Sequence, residues 1–136
     1  MIRSIGASLA ALGLAAGLAA PAVSAEPSQS IRVIGVDGYM VIDREHVVLD
    51  GIGQRHYLVT LRRSCPSLTG GMRIATSFPA TGTVFNPRLE YLVTGDRRTG
   101  ERCYIDTIEH VESRDAARAL VEERRQAEAA PDAVGE

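Results

Sequence analysis

Lysine is absent from this chain, and all 15 of its cationic residues are arginine. That absence excludes Schiff-base chemistry, a Ser–Lys dyad and the lysine-dependent phosphate loop of nucleotide hydrolases. Cysteine is nearly absent too, with Cys65 and Cys103 the only two. They stand too far apart for a C-x-x-C redox motif, and Cys and His are too few at ligand spacing for a zinc site. Also missing are H-E-x-x-H, G-x-S-x-G and any glycine-rich loop that opens a helix after a strand. No internal repeat is visible. Arginine without lysine, beside abundant Ala and Gly, is what the codon bias of a GC-rich genome produces. Selection for anion-binding guanidinium groups is the functional alternative.

A long apolar run is lacking as well. The one at residues 5–20 spans about 16 positions, short of the roughly 20 that a membrane-crossing helix needs. Arg3 precedes it, Pro21 ends it, and Val23 and Ala25 stand at the −3 and −1 positions of a cleavage site. This pattern predicts a signal peptide over 1–25 removed after Ala25, with no transmembrane anchor in the mature protein and a periplasmic or secreted location. No cysteine lies at the cut to receive a lipid. Removal of Arg3 leaves 14 arginines against 17 acidic residues, a net charge of −3. Such a balance gives no reason to expect nucleic acid or an anionic membrane as partner.

Export bears on the two cysteines, because an oxidising compartment favours pairing Cys65 with Cys103. Such a bridge closes a loop of about 39 residues, worth roughly 4 kcal/mol in the chain-entropy view. A structural staple is the simpler reading of the pair; a redox role is the sharper one.

What is present between about residues 31 and 111 reads as strands and turns, rich in Val, Ile, Thr and Tyr and broken by Gly and Asp-Gly pairs. Strands are predicted at 31–36, 39–42, 47–49, 56–62, 73–77, 83–85, 89–94 and 103–108, with a turn, or a short helical turn, at 67–71. In the 56–62 segment Tyr57, Val59 and Leu61 point one way, and His56, Thr60 and Arg62 the other. Leu58 interrupts the polar face, which implies that part of that face is covered. Ile105 and Ile108 are out of period-two register, so either a bulge or a helical turn lies between them. Short strands at this spacing predict a mainly-β fold, a small antiparallel sandwich or barrel-like domain with one disulfide. Ser113 then suits the N-cap of one C-terminal α-helix, whose only large apolar residues are Leu120 and Val121. Pairs Asp115–Arg118 and Glu122–Arg125 solvate its other side. A helix with so thin an apolar stripe docks weakly or projects into solvent. The predicted organisation is therefore a signal peptide (1–25), a flexible leader (26–30), a β-rich disulfide-stapled domain (31–112), a solvated helix (113–130) and a flexible tail (131–136).

One constellation follows from pairing the cysteines. Arg62 and Arg63 precede Cys65, and Arg102 precedes Cys103, so a bridge gathers their guanidiniums into one region. Arg97 and Arg98 on the adjoining hairpin can add to it. Arg62, Arg63 and Arg102 form a candidate anion-binding cluster for a carboxylate or phosphate. The plainer reading is surface arginines balanced by Asp96 and Glu101. His46, His56 and His110 are scattered among predicted turns and strand ends, and Asp37, Asp43, Asp50 and Asp96 sit where turns call for Asp. No catalytic residue, metal or cofactor is assigned on this basis.

Four segments, Tyr57-Leu58-Val59-Thr60-Leu61, Cys65-Pro66-x-Leu68, Arg73-Ile74-Ala75 and Cys103-x-Ile105-x-x-Ile108, occur in this order. Together they resemble an uncharacterised family of small exported bacterial proteins, a domain of unknown function. The resemblance implies export, a compact β-rich domain and a paired Cys65–Cys103, and it brings no activity, ligand or catalytic residue. The functional expectation is a non-enzymatic binding or accessory module of the cell envelope, whose partner is an anionic ligand or an envelope protein. The alternative is a small periplasmic hydrolase, or other enzyme, with a site assembled from scattered His, Asp and Ser.

Overall fold

Eight short strands and one α-helix follow one another along residues 30–96 and 98–130, the part of the chain that a computed structural model describes. The expected signal peptide, leader residues 26–29, Arg97 and the tail at 131–136 lie outside the described residues. The strands are β1 (Ile31–Val33), β2 (Gly38–Val41), β3 (His46–Gly51), β4 (Arg55–Leu61), β5 (Ile74–Thr76), β6 (Gly82–Val84), β7 (Tyr91–Thr94) and β8 (Glu101–Val111). The helix, α1, is Arg114–Ala129. Six strands form an antiparallel sheet in the order β2-β3-β4-β8-β7-β5, rolled into a nearly closed, barrel-like shape. A separate β1–β6 ladder packs Ile31, Val33 and Val84 against the inner face of that sheet. The mainly-β class, the C-terminal helix and the single disulfide are thus all present.

Alternation along β4 organises the packing. Tyr57, Val59 and Leu61 enter the main core with Val47 and Leu49 of β3 and Ile105 and Ile108 of β8. The Tyr57 ring is wholly buried, and its hydroxyl accepts a bond from the Ile34 amide at 3.0 Å, so the phenol is not left unpaired in the core. Between Ile105 and Ile108 the expected irregularity is a bulge. Leu61 pairs with Ile105 and Thr60 with Thr107, leaving Asp106 as the extra residue. That insertion turns Ile108 inward opposite Val59, where strict alternation after Ile105 would turn it outward. The predicted first strand is shortened to Val33, because Gly35 takes a left-handed φ of 59° that ends the extended run. Leu89 belongs to a 3-10 turn (Pro87–Leu89) rather than to a strand; the Asn86 side chain caps that turn by accepting from the Arg88 amide.

Of the two arrangements expected for the helix, weak docking or projection, the structure shows docking: Val121 of the expected apolar pair is buried together with Ala117, while residues 122–130 are exposed. Ser113 caps it as expected, accepting from the Ala116 amide at 2.9 Å. Ala117 and Val121, one turn apart, are the residues buried in the interface, and Leu120 is only partly so. They cover Val48 and Leu58 on the outer face of β3 and β4, forming a second small core. Leu58 therefore sits on the polar face because a helix roofs it. Ion pairs complete the docking: Arg114 to Asp50, Arg124 to Glu109 and Arg125 to Asp43. The solvated side carries the two expected pairs, Asp115–Arg118 at 3.7 Å and Glu122–Arg125 at 3.2 Å.

Candidate functional site

The disulfide joins Cys65, just beyond β4, to Cys103 on β8, with α-carbons 5.9 Å apart. Both residues are buried, so the bridge is part of the core. The sulfurs and the Glu101 carboxylate lie close enough together to suggest a metal cluster. With both sulfurs committed to each other, that grouping is explained by the staple itself.

Bridging gathers the predicted arginines, although they do not act alike. Arg62, Arg63 and Arg102 line one hollow of about 340 Å³ that Cys65, Cys103 and Tyr104 also border. Arg62 lies over the Tyr104 ring at 5.9 Å and donates to the carbonyls of Ile105, at 3.2 Å, and Arg88. Arg102 lies over the Tyr91 ring at 4.7 Å. The two rings are themselves 5.6 Å apart. Arg98 donates only its backbone amide, to Asp96, and its side chain does not border the hollow.

A larger concavity, of about 910 Å³, lies between the C-terminal half of α1 and the outer face of the sheet. No sequence motif announces it, because it exists only where the helix overhangs β3, β4 and β8. Val121 and Thr60 contribute to its floor, and Asn86, Pro87 and Arg88 of the 3-10 turn form a rim. Three ion pairs line it: Arg125–Asp43 at 2.6 Å, a two-pronged Arg124–Glu109 at 2.9 Å for each prong, and Arg88–Asp106 at 3.3 Å. Arg44, Glu45 and Glu128 also line it, and none of them makes a side-chain ion pair among the described residues. Thr60 Oγ1 is buried there without a hydrogen-bond partner, the one such side-chain atom among the described residues.

His46 faces Thr60 across the β3–β4 ladder and borders the same groove. Its Nδ1 lies 2.8 Å from Asp43 Oδ1, and Asp43 Oδ2 in turn accepts from Arg125. Burial works to raise the pKa of Asp43. The Glu45 amide, His46 and Arg125 outweigh that effect and hold its carboxyl below the ordinary carboxylate value. A second His–Asp–Arg chain holds the start of the helix, with His56 Nδ1 at 2.8 Å from Asp50 and Asp50 bound by Arg114. The hydrogen bonds from Arg114 lower the pKa of Asp50, against the opposing effect of burial, with His56 adding to the shift. Glu109 likewise raises the pKa of Arg124 by accepting its hydrogen bonds. His110, the third histidine, packs against the Tyr57 ring at 5.0 Å.

Two of the three scattered histidines, His46 and His56, thus each meet an aspartate, pairings that the sequence could not show. In chemical terms, an Asp-held imidazole can take or give a proton through its other nitrogen. Among the described residues no hydroxyl is hydrogen-bonded to His46. What the groove offers is charge of both signs around a floor with an unsatisfied hydroxyl.

Fold and site together define a small disulfide-stapled, barrel-like β domain with one helix laid across its outer face. The chain belongs to a family of unknown function (DUF6491), whose model matches residues 1–128. No curated protein and no solved structure matches it.

Proposed function

We propose that this protein is an exported, non-enzymatic binding module of the cell envelope, and that the groove beneath α1 takes a small zwitterionic ligand such as a short peptide. The leader pattern at 1–25, with its cut after Ala25, supports export to the periplasm or beyond, and so does the paired Cys65–Cys103. One observation carries the ligand reading. Among the described residues, the groove's lining has a cation without an ion pair, Arg44, and two such anions, Glu45 and Glu128, around a Thr60 hydroxyl that has no hydrogen-bond partner. Its volume of about 910 Å³ falls within the 300–1,000 Å³ usual for small-molecule sites. A ligand carrying both an ammonium and a carboxylate satisfies both signs, whereas a simple anion meets the acidic groups of the same lining.

The hydrolase reading has one observation in its favour, the Asp43-held His46 at the groove wall. Binding is preferred because charge of both signs lines the groove, while among the described residues the hydrogen bonds of that imidazole go to Asp43 and none to a hydroxyl. One experiment addresses both. The mature protein is titrated with dialanine, with N-acetyl-dialanine and with dialanine amide, followed by calorimetry and by amide shifts. The free dipeptide is expected to bind, both capped forms to bind more weakly, and Arg44→Ala to weaken only those ligands with a free carboxylate. Equal binding of all three peptides, or none, refutes the proposal. Cleavage of the peptide that disappears in His46→Asn replaces it with the enzymatic reading.

A further inference from the structure

Next to this groove, with Ser64 on the border of both, lies the hollow beside the disulfide. Its lining has three guanidinium groups and one carboxylate, Glu101, in a chain whose net charge is −2. The local sign is therefore opposite to that of the whole molecule.

How these cations are held distinguishes them from the arginines around the helix. Arg88, Arg114, Arg118, Arg124 and Arg125 each face a carboxylate. Arg62, Arg63 and Arg102 make no ion pair among the described residues, although Glu101 lines the same hollow. Arg62 is fixed by two carbonyl oxygens and the Tyr104 ring, and Arg102 by the Tyr91 ring. Carbonyls and rings position a guanidinium without cancelling its charge. Arg62 still has free N–H donors after those two bonds, since a guanidinium carries five. Two of the three cations thus have contacts that favour their positions before any ligand arrives, which lowers part of the ordering cost of binding. Strand alternation predicts opposite faces for Arg62 and Arg63. The chain leaves β4 at Leu61, so that alternation no longer applies and both border the same volume.

We propose that this hollow is a phosphate-binding site, taking a phosphate group either free in solution or carried on a lipid headgroup. Three guanidiniums against the single Glu101 carboxylate leave the hollow with a net positive charge that suits a phosphate, and their paired N–H donors match phosphate oxygens two at a time. A volume of about 340 Å³ is near the lower limit for small-molecule sites, enough for the phosphate but not for a bulky carrier. The site is independent of the zwitterion reading of the groove, because none of its arginines lines that groove.

The test is a titration of the oxidised mature protein with inorganic phosphate at low ionic strength, following backbone and arginine Nε resonances. Saturable shifts are expected at Arg62, Arg63 and Arg102. Arg63→Ala and Arg102→Ala should each weaken binding about tenfold, as loss of a charge-assisted contact predicts. Glu101→Gln should tighten it severalfold. Arg55→Ala, an exposed arginine outside the hollow that donates to the Ile52 carbonyl, should leave binding unchanged. Vesicles of phosphatidylglycerol and of phosphatidylcholine distinguish the sources. Sedimentation with the first alone, abolished by Arg63→Ala, assigns the group to a lipid headgroup; phosphate binding with no sedimentation assigns it to a soluble ligand. Shifts that do not saturate, or that survive Arg63→Ala combined with Arg102→Ala, overturn the proposal.

Discussion

Truncating Leu58 tests whether α1 is part of the folded domain. Leu58 lies on the outer face of β4 and is 0% exposed, in a cluster whose other fully packed members are Val48, Ala117 and Val121. Were the helix undocked, Leu58 would face water, and Leu58→Ala would cost no more than about 0.5 kcal/mol, as surface changes do. With the helix docked, the substitution removes buried methyl groups and leaves a cavity, at a cost of about 2–5 kcal/mol. Val121→Ala on the facing helix should cost about 1.5–2.5 kcal/mol by the same reasoning. Since the two side chains share one small cluster, their effects should not add, and the double variant should fall short of the sum by at least about 0.5 kcal/mol. Thermal and urea unfolding of the oxidised mature protein measure this, at roughly 4–8 °C of Tm per kcal/mol for a domain of this size. A cost below about 1 kcal/mol for Leu58→Ala, or strict additivity with Val121→Ala, would refute the docked helix.

Replacing Cys65 and Cys103 together by Ala should destabilise the protein by about 4 kcal/mol, given their sequence separation of 38, and denaturation curves with and without reductant read this directly. Stability should fall as the pH drops below the ordinary carboxylate range. Asp43 and Asp50 have folded-state pKa values lowered beneath it, so their contribution is complete above the unfolded value of about 3.9 and is lost between that value and the lower folded one. In Asp50→Asn part of that slope should vanish, and an unchanged acid profile would show that the Arg114–Asp50–His56 chain contributes nothing. If the protein is exported as proposed, N-terminal sequencing should return Glu26, and an intact Met1 on the folded product would contradict cleavage after Ala25.

Local chemistry was legible in the chain because it acts over a few residues. Alternation about Tyr57, Val59 and Leu61 identified an inner face, the Ile105–Ile108 spacing announced an irregularity, either a bulge or a helical turn, and Ser113 marked a helix start. Leu58 hinted at a covered outer face without naming the cover. The groove was not legible at all. Its walls come from Asp43 and His46 on one hairpin, Thr60, Glu109 and Asp106 on two other strands, and Arg124 and Arg125 on the helix. Nothing in their spacing says that they meet.

By itself, then, the sequence determined the mainly-β class, which follows from periodicity, and it offered Cys65 and Cys103 as the only two cysteines available to pair, a link that draws Arg102 toward Arg62 and Arg63. That Arg62 and Arg63 border one hollow, against strand alternation, came from the structure. Only the tertiary structure decided that Ala117 and Val121, rather than Leu120, seat the helix, and that His46 and His56 each have a carboxylate partner tied to an arginine of α1. The physical reason is that a thin apolar stripe is too weak a signal to orient a helix. Three long-range ion pairs, from Arg114, Arg124 and Arg125, complete that orientation, and pairs of this kind form only after the sheet has brought their carboxylates to one face.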